Sequence, residues 1–239
     1  MLNKLLFNKG KELEIEVFTP YEFLLDIEET RPKPARLFTP DWWKTIPRNI
    51  ESLEPLNGTV KSCPSFVQMF NQGIVLPMWC DTILSRKDLN FNWTVANGNF
   101  SWEFHFDWQL LDYINVPKYQ KVFKAISPWF IKTPPGISVY QFPMFFDFNQ
   151  DWTIMPGILN TDMYHQLNQQ LIYTSDKDEV RINRGQAFVW YVPFIRTKFE
   201  YETYLADERM KQILSNQANA VNTKFAGHVA KDMKKNNIL

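Results

Sequence analysis

Hydrophobic and polar residues alternate in short runs along most of the chain, a pattern typical of half-buried β-strands. Between residues 118 and 199, apolar runs separated by Pro, Gly, Asn and Asp predict six strands. They cover residues 122–131, 137–142, 154–159, 167–173, 180–182 and 187–195. Residues 13–18 alternate apolar and acidic side chains, and 74–84 read as an apolar strand interrupted at Pro77. Strands at this spacing predict a mainly β domain, a sandwich or a closed barrel-like fold.

The Asn97-Gly98 pair lies between two alternating runs and gives the strongest local pattern in the chain. Trp93 and Val95 precede it. Aromatic residues follow it at every second position: Phe100, Trp102, Phe104, Phe106 and Trp108. Asn-Gly between alternating runs predicts a β-hairpin with a primed turn.

Helical patterns are few. Pro64 and Gly73 bracket a predicted helix over residues 64–72, and Thr39 is expected to cap a short helix that starts near Pro40. Beyond residue 199, weak helical spacing predicts a helical tail. Its apolar positions are Met210, Leu214, Val221, Phe225 and Val229. We expect three parts: an N-terminal strand with a Pro/Trp-rich segment (1–50), a β-rich core (51–200) and a helical tail (201–239).

Composition narrows the function classes. The chain has 239 residues, with Lys+Arg and Asp+Glu equal at 26 each. A nucleic-acid binder usually carries a basic excess, so this balance argues against one. No window approaches the ~20 apolar residues of a membrane span, and the N-terminus lacks a signal-peptide pattern. Cys63 and Cys80 form no metal-binding spacing, which predicts reduced thiols in an intracellular protein.

Four segments in order carry a family resemblance: residues 73–81, 131–139, 156–164 and 182–193. Together they resemble an uncharacterised family of phages and bacteria with the pattern Trp-x-Ile-x-Thr-Pro-Pro-Gly-Tyr-Ser. The resemblance covers roughly residues 30–200, and residues 128–136 carry most of its specificity. It implies a phage-associated protein located in the host cytoplasm or the virion.

The same order of segments is more distantly similar to the trimeric dUTPases and dCTP deaminases. That similarity implies a β-clip fold, a homotrimer and ligand sites between subunits. Carried over residue by residue, it gives a candidate ligand pocket formed by Pro135, Gly136, Asn160, Asp162, Tyr164 and Gly185.

Departures from the dUTPase pattern argue against catalysis. The turn over residues 142–145 has no Arg or Ser to bind phosphate. Asn160 stands at the position of the catalytic base, and an amide cannot accept a proton from water at neutral pH. Tyr164 comes one residue late, and Gln186-Ala187 replaces the Asp-Arg pair after Gly185. We therefore expect a non-catalytic structural or binding protein without a cofactor. We expect it to form a homo-oligomer, with a trimer favoured, or to bind other virion proteins.

Two enzymatic alternatives remain open at this point. In one, Asp162 and Tyr164 bind or hydrolyse a nucleotide in an intersubunit pocket. In the other, His105 and Asp107 on one strand face, with His165, bind Fe(II) in a 2-oxoglutarate-type oxygenase. A solvated strand face explains the His-x-Asp pair equally well. The loop aspartates Asp147, Asp151 and Asp162 are further candidates for cation binding, although such residues commonly cap turns.

Overall fold

The computed structural model describes residues 13–48, 59–88, 90–114, 120–148 and 151–216. Within them, residues 13–32 and 75–196 form one compact unit, and residues 33–74 and 197–216 form a second. The three-part division expected from the sequence stays a prediction. All residues that bear on the candidate sites below belong to the first unit.

Short strands dominate the described residues. In chain order they are β1 (Glu16–Phe18), β2 (Lys33–Pro34), β3 (Ile74–Pro77), β4 (Thr82–Lys87), β5 (Asn90–Val95), β6 (Trp102–Phe104), β7 (Lys121–Lys132), β8 (Ile137–Phe142), β9 (Trp152–Ile154), β10 (Gly157–Leu159), β11 (Gln166–Tyr173), β12 (Glu179–Ile182) and β13 (Ala187–Ile195). The strands predicted over 137–142 and 187–195 are confirmed at both ends. The run over 154–159 is divided between β9 and β10.

The first unit contains three antiparallel sheets. The first sheet has the strand order β1–β7–β11–β9, with β6 also paired to β7. In the second sheet, β8 lies between β10 and β13, and β3 lies beyond β13. The third sheet has the order β12–β4–β5. The predicted mainly β fold is confirmed.

Aromatic side chains fill the space between the sheets. Trp102 and Trp152 of the first sheet contact Phe188 of the second, with ring centroids 6.2 and 5.4 Å apart. Phe91 of the third sheet contacts Phe123 of the first at 6.2 Å. The high aromatic content is thus used to bury large apolar area between sheets, since each such ring covers a large surface.

The core also contains a chain of hydrogen bonds that joins the first two sheets. Gln169 Nε2 on β11 donates to the Tyr191 hydroxyl on β13 at 2.7 Å. That hydroxyl donates to Gln141 Oε1 on β8 at 3.2 Å, and Gln141 Nε2 donates to the Met155 carbonyl at 3.0 Å. Burial raises the pKa of Tyr191, which stays a neutral donor. Each side chain in this series has a matching donor or acceptor beside it, so the hydrogen bonds fix how the two sheets pack together.

The predicted hairpin at Asn97-Gly98 is wrong. β5 pairs with β4 in the third sheet, whereas β6 pairs with β7 in the first. Gly98 does not adopt the positive φ that a primed turn requires. Instead the Asn97 side chain accepts from the Asn99 N–H at 3.0 Å, and the chain passes to another sheet. The two aromatic runs meet between sheets, where the Trp93 and Phe104 rings pack edge to face with their centroids 4.8 Å apart.

Helices are short. α1 is Glu22–Asp26, α2 is Asp41–Thr45, α3 is Pro64–Phe70 and α4 covers residues 208–216. α3 matches the helix predicted at 64–72, and Gly73 follows it at φ +69°. Pro40, rather than Thr39, is the N-cap of α2. In the second unit, Trp43 of α2 packs on Phe70 of α3 at 4.8 Å.

The predicted tail is helical only in part. Residues 197–207 have no regular secondary structure, and α4 contains Met210 and Leu214. The positions predicted at Val221, Phe225 and Val229 lie outside the described residues. Among the helices that the structure describes, none combines the length and apolar character needed to span a bilayer. Cys63 is partly exposed and Cys80 is buried, and both are free thiols.

Candidate functional site

The first candidate site lies where β8 begins. Gly136 adopts φ +84°, which turns the chain into β8. Its N–H donates to Asp162 Oδ2 at 2.9 Å. Asp162 belongs to the turn between β10 and β11, so a loop–loop hydrogen bond joins two of the segments that carry the family resemblance. This contact brings together two members of the candidate pocket.

Arg196 completes this contact from β13. β13 pairs antiparallel with β8, and the register sets Ile195 opposite Ile137. Arg196 therefore follows directly beside Gly136, and its N–H donates to the Gly136 carbonyl at 2.9 Å. The guanidinium binds the Asp162 carboxylate in bidentate fashion, with Nη1–Oδ1 at 2.7 Å and Nη2 on Oδ2.

Ser138 and Asn160 are bound into the same network. Ser138 Oγ donates to Asn160 Oδ1 at 2.8 Å. Arg196 Nη1 lies 2.7 Å from Ser138 Oγ and 3.2 Å from Asn160 Oδ1. We call these five residues, Gly136, Ser138, Asn160, Asp162 and Arg196, the Asp162 cluster. The Arg196 guanidinium thus donates to Ser138 on β8 and to Asn160 and Asp162 in the turn after β10.

The electrostatics of the Asp162 cluster oppose acid–base chemistry. The hydrogen bonds from Arg196, and then from the Gly136 N–H, lower the pKa of Asp162 to about 2. The same ion pair raises the pKa of Arg196. The Asp162 side chain is only 6% exposed, and both of its oxygens accept hydrogen bonds. Such a carboxylate stays ionised at neutral pH and is too weak a base to take a proton from water.

Two buried threonines form a hydrogen bond next to the Asp162 cluster. The hydroxyls of Thr133 and Thr161 lie 2.8 Å apart, and Thr133 Oγ1 donates to the Ile137 carbonyl at 2.8 Å. Both side chains are buried. Thr161 lies between Asn160 and Asp162, and Thr133 precedes Gly136 by three residues, so this pair helps to fix the two loops against each other.

The remaining members of the candidate pocket do not join the cluster. Pro135 is exposed beside Gly136. Tyr164 is 59% exposed, and its hydroxyl donates to Gln166 Oε1 at 3.0 Å. Gly185 lies at the other end of β13, about 30 Å from Arg196 at the rise of an extended strand. There it adopts φ +80° close to Glu29.

The three candidate iron ligands do not converge. The His105 N–H donates to the Val122 carbonyl on β7, whereas the His165 carbonyl accepts from the Ile131 N–H of the same strand. Nine residues of extended strand separate those positions by about 30 Å. β6 ends before His105, and Asp107 forms an ion pair with Lys121 at 2.6 Å. Within the described residues, no group of three His, Cys, Asp or Glu side chains could hold a metal ion.

The loop aspartates Asp151 and Asp147 lie in different surroundings. Asp151 accepts from Lys177 Nζ at 2.8 Å and from Ser175 Oγ at 2.7 Å, and these hydrogen bonds lower its pKa. Its side chain thus joins the start of β9 to the segment between β11 and β12. Asp147 instead lies in the loop that follows β8, where it lines a cavity.

That cavity is the second candidate site. Its volume is about 230 Å³, and it is lined by Pro143, Met144, Phe145, Phe146, Asp147, Phe148, Trp152 and Thr153. Phe145 anchors the loop to the core, with its ring centroid 5.3 Å from that of Trp190. Phe146 and Phe148 adopt φ +65° and +52°, a left-handed backbone that bulky residues rarely adopt.

Sequence reasoning missed Arg196, Ser138 and the aromatic cavity. The sign of Arg196 in the sequence is its position directly after the apolar run over 187–195, whereas its pairing with the start of β8 is seen only in the fold. The loop over 142–145 was noticed only for the phosphate-binding groups that it lacks. Its richness in phenylalanine, continued by Phe146 and Phe148, was the available sign of a cavity.

Comparisons with known proteins give fold neighbours alone. No protein-family model matches the sequence, and no curated protein matches it. Among solved structures, the native dUTPase of EIAV is similar, with 13% identity and a TM-score of 0.32, over 57% of this chain and 84% of that one. The dUTPase from phage phi11 of S. aureus has 11% identity and a TM-score of 0.34, over 82% and 98%. These superpositions are too loose to establish a site or an activity.

Proposed function

We propose that the protein is a non-catalytic, oligomeric binding or structural protein on a dUTPase-like β scaffold. The observation that carries this proposal is the saturation of the Asp162 cluster. Asp162, Asn160 and Ser138 are already bound to each other or to Arg196. A nucleotide would have to displace an internal ion pair before it could bind these groups, and that displacement is costly for a carboxylate 6% exposed.

Apolar surface supports the oligomeric part of the proposal. Phe106, Trp108 and Tyr113 are between 60% and 80% exposed in one stretch of the first unit, with the first two rings stacked at 5.9 Å. Met163 and Tyr164 are exposed beside the Asp162 cluster. Exposed apolar residues that lie together commonly mark an interface with another protein. A homotrimer and a place in the virion or host cytoplasm rest on the sequence resemblance alone.

A nucleotide panel tests the non-catalytic part. Saturating dUTP, dCTP and the other deoxynucleotides, each with Mg²⁺, should leave the melting temperature of the protein unchanged. A ligand present at a hundred times its Kd would stabilise a fold by about 2.7 kcal/mol, which thermal denaturation detects readily. An active dUTPase assayed in parallel provides the positive control. Turnover of any nucleotide would contradict the proposal. A clear thermal shift without turnover would contradict the argument that the saturated Asp162 cluster keeps nucleotides out.

Light scattering coupled to gel filtration tests the oligomer. We expect a mass that is a multiple of the 28.4 kDa chain. Trp108→Ser, at a 60% exposed ring, should weaken the oligomer and leave the monomer folded. A strictly monomeric protein at all concentrations would overturn this part. Detection of the chain in purified phage particles would separate a virion role from a cytoplasmic one.

A further inference from the structure

The cavity after β8 has a lining suited to a cation. Phe145, Phe146, Phe148 and Trp152 contribute aromatic rings, and Asp147 is the one charged residue among those that line it. Aromatic faces carry negative electrostatic potential and attract cations, most effectively where several rings surround one. We propose that this cavity binds the quaternary ammonium group of a small molecule. The inference goes beyond the proposed function and rests on different residues from the Asp162 cluster.

The rings form a connected series from the core to the surface. Phe145 packs on Trp190 at 5.3 Å, Phe146 on Phe145 at 6.1 Å, and Phe148 on Phe146 at 6.5 Å. Phe146 and Phe148 hold these positions with a left-handed backbone. Strained conformations of this kind cost free energy and cluster at functional sites, ligand clamps among them.

Charge decides the class of ligand. The lining contains no Lys, Arg or His, and the Asp147 carboxylate would repel a phosphate. A primary ammonium directs its N–H groups at hydrogen-bond acceptors, whereas the lining is mostly aromatic and aliphatic, with Asp147 and Thr153 as its polar side chains. A quaternary ammonium needs no hydrogen bond, since its methyl groups pack on rings while its charge is balanced by one carboxylate.

Size agrees with this class. An apolar cavity of 150 Å³ in another protein holds benzene. A cavity of about 230 Å³ therefore accommodates a trimethylammonium group with part of its substituent. The rim is open to solvent, since both Asp147 and Phe148 are exposed. The rest of a ligand could extend outward past these two residues.

The experiment compares choline with 3,3-dimethylbutan-1-ol, a neutral compound of the same shape, by NMR titration of the ligand methyl resonance. We expect choline to bind more tightly than the neutral compound. Asp147→Asn and Phe148→Leu should each weaken choline binding about two- to five-fold, the effect of one exposed cation–π or charge contact. The neutral compound should be unaffected by Asp147→Asn. Asp26→Asn, which removes one negative charge from the exposed end of α1, should leave both affinities unchanged.

Two outcomes would overturn the proposal. Equal affinity for the two compounds would show a merely apolar cavity, and absence of binding for both would show no site. Melting curves of each variant establish that it remains folded. Because neither nucleotide binding nor oligomer mass enters this measurement, its failure is distinguishable from failure of the proposed function.

Discussion

The two ends of β8 differ in whether their polar side chains are paired within the protein or exposed to solvent. At its start, the Asp162 cluster pairs donors and acceptors within the chain, and Asp162 is nearly inaccessible. At its end, the loop over 143–148 surrounds an open cavity with rings and one exposed carboxylate. Satisfied polar groups fix a fold, because unpaired buried groups are expensive. Strained backbone is concentrated at functional sites, ligand clamps among them. The first end therefore has a structural role, and ligand binding at the second end is our proposal.

Loss of the guanidinium should give the largest effect. Arg196→Met removes the cation from a carboxylate that is 6% exposed, so Asp162 keeps its hydrogen bond from the Gly136 N–H but loses its ion pair. We expect the melting temperature to fall by roughly 5–10 °C at pH 7. Arg184→Met is the matched control. Its ion pair with Glu29 is about half exposed on both sides, so a change of about 2 °C or less is expected.

Acid titration sharpens the same comparison. The folded pKa of Asp162 is about 2, below the unfolded value of about 3.9. The pair therefore contributes stability that is fully present above about pH 4 and is lost as the pH falls towards 2. In Arg196→Met this part of the pH dependence should shrink, because the folded pKa rises. If the stability of the two proteins changed identically between pH 2 and 4, the ion pair would not be contributing to stability.

Backbone geometry at the start of β8 gives an intermediate effect. Gly136→Ala keeps the N–H that binds Asp162 and meets no atom within 4 Å, but it forces alanine to φ +84°. The conformational cost is about 1–2 kcal/mol, measurable by urea denaturation. Gly157→Ala on the neighbouring β10 also meets no atom and has no positive φ. It should change stability by less than about 0.5 kcal/mol. Equal losses in the two variants would mean that the turn does not depend on the left-handed backbone.

The sequence predicted what depends on local pattern. β11 shows this well, since every second residue of the strand is buried, including Leu167, Leu171 and Tyr173. Period-two alternation reports which face is covered but not which strand pairs with which. For that reason Trp93 and Phe104 were expected in one hairpin, although they lie in different sheets.

Long-range contacts account for what was missed at the site. Asp162 was noticed from its motif, but its partner Arg196 lies 34 residues away in the chain. The β8–β13 pairing brings Arg196 to the start of β8, and the β10–β8 pairing brings the turn with Asp162 to the same place. Strand register is set by tertiary packing and turn geometry rather than by local pattern alone. The positive φ of Phe146 and Phe148 was likewise beyond reach, because neither residue type favours it. The phenylalanine-rich loop was a sign of the cavity in the sequence, but not of the backbone conformation that shapes it.

Relief of strain at the end of β8 should give the smallest effect and the sharpest contrast. Phe148→Asn replaces a 71% exposed ring at φ +52° with a residue that tolerates the left-handed region. We expect the melting temperature to rise by about 1–2 °C while choline binding weakens about two- to five-fold. Phe148→Leu should weaken binding equally without raising stability, because leucine keeps the strain and loses only the aromatic face. Opposite signs in stability and binding are what a ligand-supported conformation requires. A loss of both in Phe148→Asn would instead mean that this ring stabilises the loop, as Arg196 stabilises the other end.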